Sequence, residues 1–228
     1  MTDVRVLDNP VWHALTGPQT AIATRNELAA RYPIDVAPWC ALPDDPTPDA
    51  WDALRALVGP GAVAVLFRAV GLTLPRGWAI EFHRPGAQFE ASAVVGDDSL
   101  DVDPLTVADV PAMLDLVERT HPGPFAARTV ELGGYVGVRD GATLAAMAGH
   151  RMHPPGHVEI SAVCTDPAYR GRGIGTAMLR LLVHRIRAGG DAPFLHAAAT
   201  NTVAIRLYGA MGFTVHHESE VFGLRAPA

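Results

Sequence analysis

A tract of glycine and arginine at residues 170–176 has the composition of a phosphate-binding loop. It follows an apolar, strand-like run, precedes a segment with helical periodicity, and consists of Arg170, Gly171, Arg172, Gly173, Ile174, Gly175 and Thr176. Glycine permits positive φ and leaves backbone amides uncovered, and the first turn of a helix has N–H groups without intrahelical partners. Those amides, the helix dipole and the arginine side chains all attract an anion. The tract therefore predicts a site for a phosphate or diphosphate.

The spacing of this tract excludes one common phosphate-binding loop and disfavours another. An ATP-binding loop of the form G-x-x-x-x-G-K-[ST] needs a lysine that the tract lacks. A dinucleotide-binding G-x-G-x-x-G that starts at Gly171 would have Thr176 in place of its third glycine. The remaining pattern is R-x-x-G-x-G, formed by Arg170, Gly173 and Gly175.

Residues 163–175 resemble the strand, turn and diphosphate loop of the GNAT superfamily of acyl-CoA-dependent N-acyltransferases. A second block, at residues 195–213, resembles another motif of that superfamily and contains Asn201 and Tyr208. The resemblance covers residues 100–228 and implies acetyl-CoA as the acyl donor. The residues that it implies for cofactor binding are Asn201, residues 170–176 and the preceding strand end, Val163, Cys164 and Thr165.

The resemblance implies an α/β (α+β) fold for residues 98–228, with a mixed, mostly antiparallel sheet and helices on both faces. An acidic turn at residues 96–99 predicts a domain boundary. We expect residues 1–97 to form a smaller α/β domain on the substrate side, or a degenerate acyltransferase half. Helices are predicted at about residues 18–30 and after Thr47, and a β-hairpin is predicted around Asp140 and Gly141.

Acyl transfer to an amine needs a proton acceptor and an acid for the departing thiolate. Strand alternation over residues 157–165 predicts that Glu159 lies on one face and that Val158, Ile160, Ala162 and Cys164 lie on the other. The resemblance implies Glu159 as the general base, acting directly or through water, and Tyr208 as the general acid. It also implies a β-bulge near Val163. His196, in an apolar strand, is the alternative base.

The sequence therefore predicts an N-acetyltransferase that acts on a primary amine of a small molecule or peptide. Two alternatives stay open at this stage: a non-catalytic acyl-CoA sensor or interaction module, and transfer of a longer acyl group. The acceptor itself has no readable motif.

The composition argues against a nucleic-acid-binding protein and against a membrane-spanning protein. The 228 residues include 24 acidic and 18 basic side chains, a balance that argues against a nucleic-acid partner and suits a cationic amine. No apolar run is long enough to span a membrane, so we expect a cytoplasmic protein, either a monomer or a homodimer.

His150 and His153 are predicted to point to opposite faces of a strand, and we expect no metal site.

Overall fold

The computed structural model describes residues 4–69 and 72–228. Within these residues the chain forms one sheet of eleven strands. The helices are α1 (Pro10–Leu15), α2 (Pro48–Val58), α3 (Val110–Thr120), α4 (Ile174–Ala188) and α5 (Thr202–Met211). The strands are β1 (Thr24–Arg25), β2 (Ala30–Arg31), β3 (Trp39–Ala41), β4 (Val63–Ala69), β5 (Ala79–Glu90), β6 (Asp103–Pro104), β7 (Val136–Asp140), β8 (Thr143–His150), β9 (His157–Thr165), β10 (Ala192–Ala198) and β11 (Thr214–Arg225).

The sheet is continuous across both halves of the chain. Its strand order is β1-β2-β3-β4-β11-β5-β10-β9-β8-β7-β6, and the β9–β10 and β3–β4 pairs are parallel while the other neighbours are antiparallel. Strand β5 lies between β10 and β11, so the first half supplies a strand to the middle of the sheet formed by the second half. The boundary near residue 97 stays a prediction, and the sheet runs across it.

Helices cover both faces of the second half, as the predicted fold class requires. On one face α4 packs Met178, Leu182 and Ile186 against the apolar side chains of β9 and β10. On the other face α3 packs Met113 and Leu116 against β8. No helix in the described residues is long and apolar enough to cross a bilayer.

Local sequence signals set several of the observed boundaries. The Thr47 side chain accepts a hydrogen bond from the Ala50 N–H at the start of α2, with Pro48 in the first helical position. The predicted hairpin around Asp140 and Gly141 is present as β7 and β8. Thr106 and Asp109 form a capping box before α3.

The helix predicted at residues 18–30 is wrong. Turns follow the short α1, and β1 and β2 then form a small hairpin. The Asn26 side-chain oxygen accepts hydrogen bonds from the N–H groups of Leu28 and Ala29. Such side-chain acceptors stabilise a turn in competition with a helix.

We expect Gly86→Ala to destabilise the protein, because a Cβ there would lie 2.7 Å from the Ala197 carbonyl oxygen of the adjacent strand. Overpacking of this kind reduces the free energy of unfolding by about 1–3 kcal/mol. The matched control is Gly209→Ala in α5, where nothing lies within 4 Å of an added Cβ. That change should raise stability by about 0.5–1 kcal/mol. Urea denaturation of both variants measures the effect, and equal stabilities would contradict the close packing of β5 against β10.

Candidate active site

Strands β9 and β10 separate part-way along their length. They are paired from Ala192 and His157 up to Leu195 and Ile160, and β10 then continues beside β5 as far as Ala198. On the far side of β9, the Asp166 N–H donates to the Ala145 carbonyl of β8. Because successive N–H groups of a strand point to opposite sides, the amides of Thr165 and Val163 face the gap. Within the described residues, the gap therefore offers backbone donors at the end of β9 that have no strand partner.

A β-bulge in β9 lies beside this gap. Ala162 has φ of 53°, and the register with β8 shifts between Met147 and Gly149. The bulge implied near Val163 is thus present, with Ala162 as its left-handed residue. It also corrects the predicted alternation, because Cys164 packs with α3 whereas Val158 packs with α4. The extra residue of a bulge reverses the faces that follow it, and so Ala162 and Cys164 lie on the side of Glu159.

The glycine and arginine tract forms an exposed turn that leads into α4. Gly171 and Gly173 have φ of 76° and 77°, and an added Cβ at either position would meet no atom within 4 Å. Gly173 occupies the N-cap position of α4, and no side chain caps the helix there. The amides of the first turn are consequently open to an anion.

Both arginines of the tract hold the turn in place. The Arg170 Nε donates to the Thr165 carbonyl at 3.1 Å, and the Arg172 Nη2 donates to the Ala168 carbonyl at 3.1 Å. The Arg172 guanidinium also lies over the Tyr169 ring, 4.9 Å from its centroid. Each guanidinium keeps further N–H groups with which it could contact a phosphate.

Tyr208 and Asn201 lie on and before α5, beyond the end of β10. The Tyr208 ring packs against Phe89 and Phe213, and burial raises the pKa of its hydroxyl to about 12. The raised pKa keeps the hydroxyl protonated at neutral pH, and among the described residues it has no hydrogen-bond partner. Asn201 caps α5 by accepting from the Ala204 N–H at 3.1 Å.

Glu159 is fully buried, and both of its carboxylate oxygens are occupied. The Arg151 guanidinium donates to it through Nε at 2.8 Å and through Nη2 at 2.5 Å. The His196 Nδ1 lies 2.6 Å from Oε1, and the Met152 N–H donates to Oε2 at 3.2 Å. Burial alone would raise the pKa of Glu159, but Arg151 and His196 outweigh it and lower the pKa to about 2.

His196 connects this ion pair to the next strand. Its Nε2 lies 2.9 Å from the side-chain nitrogen of Gln88, which also donates to the Leu7 carbonyl. Because the amide nitrogen can only donate, His196 accepts through Nε2 and donates through Nδ1 to Glu159. Burial lowers the pKa of His196 despite the nearby carboxylate, so the ring is neutral at pH 7.

Sequence reasoning missed Arg151 and Gln88. Arg151 carries a charge at the end of an otherwise apolar run, a signal that a partner of opposite charge should lie nearby. No comparable signal marked Gln88, because its role depends on the insertion of β5 beside β10.

The three histidines at positions 150, 153 and 157 do not share a site. His153 lies 3.2 Å from Asp191, whereas the His157 Nδ1 lies 3.0 Å from the Pro155 carbonyl. The His150 Nε2 is buried without a hydrogen-bond partner in the described part of the chain.

Comparison with known proteins identifies the family. Residues 135–222 match the family model described as FR47-like protein. The chain is 35% identical over 134 residues to the N-alpha-acetyltransferase RimI of Mycobacterium tuberculosis, an alignment that covers 56% of this chain and 69% of RimI. A solved GNAT-family structure from Novosphingobium aromaticivorans, assigned as an acetyltransferase, matches with a TM-score of 0.85 and 34% identity over 97% of this chain and 98% of that one. The chain belongs to the GNAT family.

Family membership confirms the predicted fold class and the predicted acyl donor, because GNAT acetyltransferases use acetyl-CoA. Other curated relatives are longer than this GNAT chain. Mycothiol acetyltransferase of Corynebacterium glutamicum is 37% identical over 84 residues, which is 36% of this chain and 29% of that protein. The chain spans 39% of an uncharacterised protein of Mycobacterium leprae.

We expect Glu159→Gln to destabilise the protein strongly, because it leaves the buried Arg151 charge without a counter-charge. Breaking a buried ion pair reduces the free energy of unfolding by about 3–5 kcal/mol, or about 6–20 °C in melting temperature for a chain of this size. Glu81→Gln is the control, since Glu81 forms an exposed pair with Arg225 and its loss should change the melting temperature little.

The same variant tests the pH dependence of stability. The Glu159 pKa is lower in the folded protein than its ordinary value of 4.5. Its contribution is therefore fully present above about pH 5 and is lost as the pH falls toward about 2. Calorimetry should show this acid-dependent loss in the wild type and its absence in Glu159→Gln. An identical acid profile in both proteins would contradict the assigned ionisation.

Proposed function

We propose that the protein transfers the acetyl group of acetyl-CoA to a primary amine of a small molecule or peptide. The observation that carries this proposal is the gap between β9 and β10, which leads from the bulge at Ala162 to the turn at residues 170–176. A diphosphate on the α4 amides and an extended pantetheine arm along the Val163 and Thr165 amides would place the thioester beside the bulge. In this arrangement the α4 amides bind the diphosphate, and the Val163 and Thr165 amides bind the pantetheine arm.

The donor site is proposed to consist of three parts. The amides at Gly171 to Thr176 and the side chains of Arg170 and Arg172 would bind the diphosphate. The backbone at the end of β9, from Val163 through Cys164 to Thr165, would pair with the pantetheine arm, and Asn201 would lie near that arm. An amide beside the bulge would donate to the thioester oxygen as negative charge develops there.

For the base, the geometry favours the pair of Glu159 and His196 over Glu159 alone. The Glu159 carboxylate has no free oxygen, and its low pKa makes it a weak proton acceptor. His196 is the first residue of β10 beyond the last position paired with β9, and it is neutral. We propose that the Gln88 amide moves off the Nε2 of His196, that a proton leaving the amine then reaches this nitrogen directly or through water, and that Glu159 stabilises the imidazolium that forms.

Tyr208 is the proposed general acid. Its high pKa keeps the phenol protonated at neutral pH. Its hydroxyl makes no hydrogen bond to residues 4–69 or 72–228 that would hold it away from a departing thiolate. After the amine attacks the thioester carbon, the carbon–sulfur bond breaks and the thiolate takes the phenolic proton.

We expect Gly173→Phe to weaken CoA binding at least tenfold, because a side chain at this open position covers the amides at the start of α4. Gly190→Phe is the matched control. Gly190 follows the opposite end of the same helix, has φ of 93° and is equally open. Both variants should lose similar stability from the left-handed backbone, about 1–2 kcal/mol. Titration calorimetry with CoA distinguishes them, and equal affinity of both variants would contradict the diphosphate site.

Tyr208→Phe should lower kcat by about 10²–10⁴-fold, the usual contribution of a general acid. CoA affinity and melting temperature should stay close to those of the wild type, because the hydroxyl makes no hydrogen bond to the described residues. Release of free thiol from acetyl-CoA, measured with a panel of amines, supplies the rates. Unchanged turnover in this variant would exclude Tyr208 as the acid, and CoA binding without thiol release in the wild type would instead indicate an acyl-CoA sensor.

A further inference from the structure

A second bulge in the sheet brings two consecutive histidines together. Val215 of β11 lies opposite Phe89 of β5 and His217 lies opposite Gln88, so His216 is an extra residue in β11. Consecutive residues of a regular strand point to opposite faces. Here the two imidazole rings are 4.9 Å apart, centroid to centroid, and contact each other edge to face.

The N-terminal segment adds a carboxylate to this pair. Asp8 ends a turn of 3₁₀ helix at residues Val4–Asp8, and the Leu7 carbonyl is tied to the sheet by the Gln88 side chain. The Asp8 Oδ1 lies 3.8 Å from the Nε2 of His216. One ligand atom from each of Asp8, His216 and His217 lies within 4.8 Å of the other two.

Neither ring nitrogen of His217 has a partner in the part of the chain that the structure describes. Both nitrogens are buried, and neither makes a hydrogen bond within the described residues. A buried imidazole normally satisfies at least one nitrogen, since an unpaired polar group away from water is unfavourable by about 1–3 kcal/mol. The orphaned nitrogens therefore point to a partner from outside the chain.

The second nitrogen of His216 faces a carboxylate, as the free nitrogen of a metal-binding histidine usually does. Its Nδ1 lies 3.6 Å from the Glu90 carboxylate, while its Nε2 faces Asp8. An imidazole that binds a metal through one nitrogen usually donates its other N–H to a carboxylate, which fixes the ring orientation. Glu90 is placed to do this for His216.

We propose that Asp8, His216 and His217 bind a divalent transition-metal ion of the Zn²⁺ type. Two imidazoles and a carboxylate are a common ligand set for Zn²⁺, with ligand atoms about 3.3 Å apart around a tetrahedral ion. Asp8 has a side chain that is 57% exposed and can rotate to close the remaining distance. The fourth position stays open to water or another ligand.

The proposed ion would join the N-terminal segment to β11. It would hold in place the turn whose Leu7 carbonyl binds Gln88, and Gln88 in turn contacts His196. The ion lies on the sheet face of His196 but two strands from it, about 10 Å away at ordinary strand spacing. We therefore assign it a stabilising role and no part in thioester cleavage.

Titration of the full chain, without a polyhistidine tag, with Zn²⁺ and Co²⁺ tests this site. We expect one ion per chain by calorimetry, visible absorption typical of tetrahedral Co²⁺, and a higher melting temperature with Zn²⁺. Asp8→Asn, His216→Gln and His217→Gln should each weaken binding at least tenfold, and Glu90→Gln should weaken it about 10-fold or more through the loss of ring orientation. Asp8 is exposed, so its variant should fold even if a histidine variant does not.

His184→Gln is the matched control, because His184 also lies near a carboxylate, 3.6 Å from Asp98, with its side chain 46% exposed. Among the described residues it belongs to no group of three potential ligands. Its variant should bind Zn²⁺ like the wild type. Absence of stoichiometric binding in the wild type, or retained affinity in Asp8→Asn, would overturn the proposal. An equal loss in His184→Gln would show adventitious binding and would also overturn it.

Discussion

The ion pair of Arg151 and Glu159 determines how the centre of this molecule is organised. A carboxylate and a guanidinium are each removed from water there, at a desolvation cost of several kcal/mol per ion. Their short bidentate contact, with His196 and the Met152 N–H on the remaining lone pairs, offsets that cost. The pair lies one residue before the point at which β9 and β10 part. The strands can therefore separate beside a charged group whose hydrogen bonds are already satisfied.

The bulge at Ala162 has a comparable effect on the geometry of β9. By adding a residue, it moves Cys164 to the face of Glu159 and turns the amides of Val163 and Thr165 toward the gap. A regular strand would have continued its pairing with β10 and left no free donors. The same device recurs in β11, where the extra residue His216 brings two imidazoles to neighbouring positions. In each case an extra residue changes the directions of the groups that follow it. In β9 the change affects backbone amides, and in β11 it affects two imidazole side chains.

The first half of the chain contributes a central strand of the sheet and residues around the buried ion pair. Strand β5 pairs with both β10 and β11, and its Gln88 contacts His196 and the N-terminal segment. The Trp39 ring lies against the Arg151 guanidinium at 5.2 Å. The surroundings of the buried ion pair thus come from segments separated by more than a hundred residues. Substitutions in the first half can therefore alter the environment of the proposed base while leaving the loop at residues 170–176 unchanged.

The amino-acid sequence by itself determined the family, the acyl donor and most elements of the second half. Those features depend on short-range signals: the glycines and arginines of residues 170–176, the turn at Asp140 and Gly141, and the alternation in strand β9, whose predicted and observed bounds agree. The helix expected at residues 18–30 failed because Asn26 stabilises a turn that periodicity does not reveal. Only the tertiary structure decided the environment of Glu159, the reversal of faces at Ala162, and the meeting of Asp8 with His216 and His217. The physical reason is that pKa values, orphaned polar atoms and ligand clusters arise from contacts between strands that are distant in the chain, and such contacts leave no periodic or compositional trace.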